Sequence, residues 1–357
     1  MTGPVTDHVR AGAVTSTVLL DDDEIRIEHF ERGGAGGTLV VTFDPIAYFW
    51  DRPPFGHEFL RKQSLDVIAV RKKSENFYQP LSREAFDAAV APVAARYARV
   101  FSYGSSLGAY AALYFGRDEP WTVIASSPRN SSHPVYGAKV WQKKVPFRHE
   151  PMRPDVTPRC NAIILYDPRD GIDRRYLDGE VLPQFPDADV RRVPFSGHPS
   201  NQVLSEMGFI APFVRAVLSG SPRATWPTLD RRGARQRSAA YFQVMAQHAV
   251  QKQHIACADA LVARSLALKP ASMLALRVQG TVRLAQRRWT DAEAVLAQAL
   301  ALSPQDPLTQ SLLDRARRGQ PAPPPPPPQP ITAPPPGRRE RLAALLRRMA
   351  RLVGGRR

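Results

Sequence analysis

Val100-Phe101-Ser102-Tyr103-Gly104-Ser105-Ser106-Leu107-Gly108-Ala109-Tyr110 is the stretch on which the reading of the fold turns. Its first four residues have strand character, and Ala109 to Phe115 has helix character. Between them Gly104 to Gly108 spells G-x-S-x-G. A strand that enters a helix through so tight a bend strains its central residue and presses together the residues two positions to either side. Glycine at both of those places leaves the room. The Ser106 hydroxyl is then expected above the sheet at the start of the helix, with the Leu107 amide aimed where an oxyanion would form.

Working outward, short apolar runs alternate with helical patterns, as a mostly parallel, doubly wound sheet flanked by helices requires. Val18-Leu19-Leu20 and Ile25-Arg26-Ile27 are expected as antiparallel opening strands. Gly33 to Gly37 is expected as a hairpin turn into Leu39 to Phe43, whose unbroken apolar run suits a strand buried on both faces. Further strands are expected at 66–70, 100–103, 122–125, 162–166 and 189–194. In 83–98, Phe86, Ala89, Val90, Val93 and Ala94 share one helix face. The segment 130–158, rich in Pro, Lys and His, has no clear period and fits either a cap over the sheet edge or a surface connection.

A serine hydroxyl needs a base, and an imidazole serves best when a carboxylate fixes its tautomer. After the strand 162–166 come Asp167, Asp170 and Asp173, and after 189–194 comes His198. His198 is the histidine that lies beyond such an acid and ahead of the later helices. His248 and His254 fall on those helices as surface or packing residues.

With the G-x-S-x-G bend and the order serine, acid, histidine, the chain from Val18 to Leu218 resembles the α/β-hydrolase family. The resemblance implies an acyl-serine mechanism with Ser106 as nucleophile and His198 as base. It favours Asp170, before Gly171, as the acid, with Asp167 capping the turn and Asp173 capping a helix from about Arg174. It also implies a second oxyanion donor after the third strand, here the amide of Phe43 or of Asp44. That loop departs from the family's glycine-rich pattern, because it carries an acid and Pro45, which has no amide proton. Asn76, Tyr78 and Gln79 follow the next strand, where they would suit a polar ester such as a glycan or remain ordinary loop residues. No phosphate-loop or HExxH motif is present, and Cys160 and Cys257 stand far apart, so neither cofactor nor metal is expected.

At 357 residues the chain has length for more than one domain. After a linker at 220–237 an alanine-rich region, 238–318, repeats itself at a 34-residue interval: Ala258 with Ala292, Val262 with Leu296, Pro270 with Pro304. This resembles the tetratricopeptide repeat, which implies paired helices and a protein partner. Two copies fall short of the three that usually stand alone, so they are expected to pack on the first domain, 1–219, or on another chain. Eleven of the 35 prolines fall between Pro321 and Pro336, within a spacer at 319–337. Residues 338–357 form a basic amphipathic pattern whose eight arginines against Glu340 contribute +7 of the net charge of +16. Arginines opposite an apolar stripe suit an anionic membrane surface, and the lack of interleaved aromatics argues against nucleic acid. With two distant cysteines and no signal-peptide or spanning pattern, a cytoplasmic protein, docked at times on the membrane, is the expectation. The alternative to an enzyme is an adaptor that uses both parts for binding.

Overall fold

The computed structural model describes residues 15–32, 37–50, 52–150, 156–229 and 233–319. Eight strands form one sheet: β1 (Thr15–Asp21), β2 (Ile25–Glu31), β3 (Thr38–Phe43), β4 (Asp66–Lys72), β5 (Arg99–Ser105), β6 (Thr122–Ser126), β7 (Asn161–Tyr166) and β8 (Asp189–Arg192). Their order is β1-β2-β4-β3-β5-β6-β7-β8. The β1/β2 and β2/β4 pairs are antiparallel and the remainder parallel. Every residue of β3 and β4 is buried, the pattern of central parallel strands covered on both faces.

One expectation fails at the start of the sheet. β2 pairs with β4, which lies between it and β3, so β2 and β3 do not form the expected hairpin. Residues 33–36 lie outside the described set. Gly37 is described, with φ of 59°, and a Cβ there would lie 3.3 Å from Ala98 N.

The first seven helices are α1 (His57–Arg61), α2 (Arg83–Ala94), α3 (Leu107–Gly116), α4 (Lys139–Lys144), α5 (Gly171–Tyr176), α6 (Asn201–Glu206) and α7 (Ile210–Leu218). On one sheet face, Phe86 and Val90 of α2 and the whole of α3 pack on Val41, Phe43 and Ile68. On the other, Leu60 of α1 and Phe213 and Val217 of α7 pack on Val40, Phe101 and Ile163. Helix α2 begins at Ser82, whose side chain accepts from Ala85 N. It ends before the periodic pattern does, because Arg96 N and Tyr97 N tighten onto Val93 O and Ala94 O.

Five helices follow: α8 (Ala239–Gln251), α9 (Ile255–Leu268), α10 (Met273–Ala285), α11 (Trp289–Leu302) and α12 (Pro307–Arg318). Fully buried Ala246, Ala258, Ala275 and Ala292 let neighbouring axes approach closely. Helix α8 also packs on α6, through Val203 and Met207 against Ala240, Tyr241 and Phe242. Glu206 Oε2 accepts from Ser238 Oγ and Ala240 N, both at 2.8 Å, and so satisfies the first turn of α8. The proline-rich spacer and the basic segment 338–357 lie outside the described residues. Among the described residues, no helix is long and apolar enough to cross a membrane.

Candidate active site

Strands β3 and β5 are neighbours, but the chain leaves β3 toward one side of the sheet and β5 toward the other. In open α/β sheets the crevice beyond the strand ends at such a point is where chemistry is hosted. Ser106 follows β5 there, with φ of 56° and ψ of −118°, a region that costs a non-glycine residue energy and has to be held by its surroundings. Its amide donates to Ser126 O at 2.8 Å, and its carbonyl accepts from Ala109 N, Tyr110 N and Arg129 N. The two glycines are needed for space: a Cβ on Gly104 would overlap the Gly108 carbonyl, and one on Gly108 would overlap the Phe43 carbonyl.

The Ser106 hydroxyl lies 2.8 Å from His198 Nε2. On the far side of the ring, Nδ1 lies 2.8 Å from Asp173 Oδ2. With Nδ1–H donating to the carboxylate, Nε2 is left to accept the serine proton. Ser106 is 7% exposed and Asp173 wholly buried. Burial pushes the Asp173 carboxyl up; the hydrogen bond and charge of His198, and more weakly Arg129, pull it down.

The structure brings Ser106 and His198 together with Asp173, and not with Asp170. Asp170 is the N-cap of α5, its Oδ1 accepting from Ile172 N at 3.0 Å and Asp173 N at 2.9 Å. The helix starts at Gly171, not near Arg174, so Asp173 sits in its first turn and faces inward. Asp167 holds the histidine loop: its carboxylate accepts from Phe195 N at 3.1 Å, Gly197 N at 2.8 Å and Arg169 N at 2.8 Å. Asp170 thus takes the capping place expected of Asp173, and Asp173 the place beside His198 expected of Asp170.

Leu107 is the first residue of α3, so its amide has no carbonyl one turn back within the helix. Phe43, the other expected donor, is a ladder residue in register with Val70 and Gly104. It turns its carbonyl oxygen toward Gly108. Asp44, the alternative read from sequence, is the first residue after the strand. The Asp44 side chain points away, with its carboxylate accepting from Phe55 N at 2.9 Å and Arg71 Nε at 3.2 Å.

Sequence reasoning missed two features. The first is Arg129, just after β6, whose amide donates to Ser106 O and whose Nη1 donates to Asp173 Oδ1 at 3.2 Å. The second is the pair Arg71 and Lys72 at the end of β4, both buried. Lys72 Nζ donates to Pro45 O at 2.7 Å and Tyr48 O at 3.0 Å. Arg71 donates to Phe49 O, Trp50 O and Arg52 O. Two positive charges directly after the apolar run Val67 to Val70 of a buried strand were the available signal. Asn76, Tyr78 and Gln79 are committed internally: Asn76 to Glu24, Tyr78 to Asp44 O and Val70 O, and Gln79 to the amides of Arg148 and His149. A cavity of about 910 Å³ lies among Arg99, Thr122, Asn161 and Asp189, at the end of the sheet away from Ser106.

An eight-stranded sheet of this order, with the tight G-x-S-x-G bend after β5, defines the α/β-hydrolase fold, here joined to a helical region. No protein-family model and no curated protein matches the sequence. Among solved structures the chain is similar to a dienelactone hydrolase from Anabaena variabilis, at 13% identity over 59% of this chain and 95% of that one, with a TM-score of 0.38. It is also similar to an esterase from Pyrococcus furiosus, at 15% identity over 58% and 91%, with a TM-score of 0.40. A hormone-sensitive lipase from a metagenome library aligns at 14% identity over 54% and 77%, with a TM-score of 0.37.

Proposed function

We propose that the protein is a serine hydrolase that cleaves an ester through an acyl-Ser106 intermediate. His198 Nε2 takes the hydroxyl proton as Ser106 Oγ attacks the acyl carbonyl, and Asp173 stabilises the imidazolium that results. The amides of Leu107 and Asp44 receive the oxyanion. His198 then returns the proton to the leaving alkoxide. Water, or an acceptor hydroxyl in a transferase, repeats the steps in reverse on the acyl-enzyme.

The observation that supports this reading most is the unbroken relay from Ser106 Oγ through His198 to Asp173, at 2.8 Å on each side of the ring. A fluorophosphonate probe is expected to label the wild-type protein at Ser106 and to leave Ser106→Ala unlabelled. Equal labelling of the two would sink the proposal. The expectation of a glycan ester loses its residue-level basis, because Asn76, Tyr78 and Gln79 are engaged inside the fold.

We further read α8 to α12 as tetratricopeptide-like repeats that would bind a protein partner. Helices α8, α10 and α12 begin at Ala239, Met273 and Pro307, and α9 and α11 at Ile255 and Trp289, a spacing of 34 residues in each case. The corresponding organisation is a hydrolase domain at 1–219, a linker at 220–237, repeats at 238–318, a spacer at 319–337 and a basic segment at 338–357. For that last segment the proposal is docking on anionic membrane. Liposome flotation with and without residues 337–357 tests it, and equal flotation would refute it.

A further inference from the structure

Three restraints converge on the loop that carries His198. From beneath, Asp167 accepts the amides of Phe195 and Gly197. Alongside it, Ser196 Oγ donates to Ser200 Oγ at 2.8 Å, and Ser200 Oγ lies 3.0 Å from Ser127 Oγ. From above, the cover is α8, the first helix of the helical region.

That cover is close-fitting. Gly197 has φ of 67°, and a Cβ there would lie 2.8 Å from Val244 Cγ2. Phe195, with φ of 64°, is held in a backbone region unusual for an aromatic residue. Its ring meets His248 edge-on at 5.5 Å and 86°, and Tyr241 at 6.4 Å and 90°. The Arg169 guanidinium lies over it at 5.5 Å. Burial holds His248 below the usual histidine range, so it packs as a neutral ring. His198 thus follows two residues of left-handed backbone whose outer surfaces are supplied by a helix outside the hydrolase fold.

We infer that α8 completes the catalytic site, with Val244 and His248 as positioning residues that hold the Phe195 to His198 loop so that the imidazole meets Ser106. This rests on the serine-hydrolase reading above. The hydrolase fold and the helical region are then one catalytic unit, because the base is aligned by both. A base displaced by a fraction of an ångström still admits substrate but transfers its proton poorly, so the loss belongs in kcat and not in KM.

The test measures p-nitrophenyl acetate hydrolysis and the rate of fluorophosphonate labelling on the full chain, with melting temperatures recorded alongside. Val244→Ala and His248→Ala are expected to lower kcat by about tenfold or more, with KM within about twofold and labelling slowed in parallel. His248→Phe keeps the ring edge and is expected to restore most of kcat. Gln251→Ala, at the exposed end of the same helix, is expected to match wild type. If both alanine variants keep wild-type kcat, or if His248→Phe is as impaired as His248→Ala at an equal melting temperature, the brace is overturned. A wild-type protein inert to both reagents would instead remove the hydrolase reading itself.

Discussion

Asp167, Asp170 and Asp173 follow one strand, yet their carboxylates are engaged differently: Asp167 ties down the histidine loop, Asp170 caps α5 and Asp173 orients His198. Residue type alone could not divide these roles, since any of the three can accept backbone amides. The division was decided by where α5 begins: the start at Gly171 leaves Asp170 as the cap and puts Asp173 in the first turn, facing His198. Asp173→Asn is expected to reduce kcat by about 10⁴-fold with the fold intact, because an amide there favours the wrong imidazole tautomer. Asp170→Ala removes a cap worth about 1 kcal/mol, so melting should fall by a few degrees while activity stays within about tenfold of wild type. Kinetics and thermal melts on the two variants separate the roles, and the reverse ranking would restore Asp170 as the acid. Ser106 and His198 were legible because the bend has a strict glycine spacing and the histidine had few rivals.

Among the elements, the connection from β3 to α1 carries the least expected chemistry. Lys72 and Arg71 between them take up the carbonyls of Pro45, Tyr48, Phe49, Trp50 and Arg52. Buried cations are tolerated only when their donors are satisfied, and here the loop backbone satisfies them. This explains how a loop with an acid and a proline in place of glycines can still hold a fixed shape beside Ser106. Burial lowers the Lys72 ammonium from its ordinary value, against the opposing pull of Glu75 and Asp44. Lys72→Met leaves two carbonyls without their donor and is expected to cost about 3 kcal/mol of stability and at least about tenfold in kcat. Urea melts and ester kinetics check both; unchanged kcat would detach this lysine from the proposed chemistry.

For the whole molecule, His149, in the segment after β6, packs on α3. His149 stacks on Tyr114 at 4.2 Å between centroids, and its Nδ1 lies 2.7 Å from Tyr110 Oη. Its Nε2 lies 2.7 Å from Tyr78 O. Burial holds its pKa down to about 4 from an ordinary 6.5. The unfolded chain therefore binds a proton between pH 6.5 and 4 that the folded chain refuses, and stability falls as pH drops through that window. The loss amounts to about 3 kcal/mol at most. Thermal melts from pH 7 to 4 should show this decline, and His149→Phe should flatten it; an unaltered slope would assign the acid sensitivity to other groups. Hydrogen exchange gives a second whole-molecule test. If α8 covers the histidine loop, the amides of Phe195 and Gly197 should open together with those of α8 and not ahead of them.

The parallel strands, the tight bend at Ser106, the place of His198 after β8 and the 34-residue spacing of the later helices were determined by the sequence itself. They depend on local rules: side-chain period, glycine at fixed offsets and the order of strands along the chain. Which aspartate faces His198, the loop-pinning cations, Arg129 and the cover supplied by α8 were decided only by tertiary structure. Each joins residues separated by tens of positions, and no local propensity distinguishes an aspartate that faces an imidazole from one that faces a helix end.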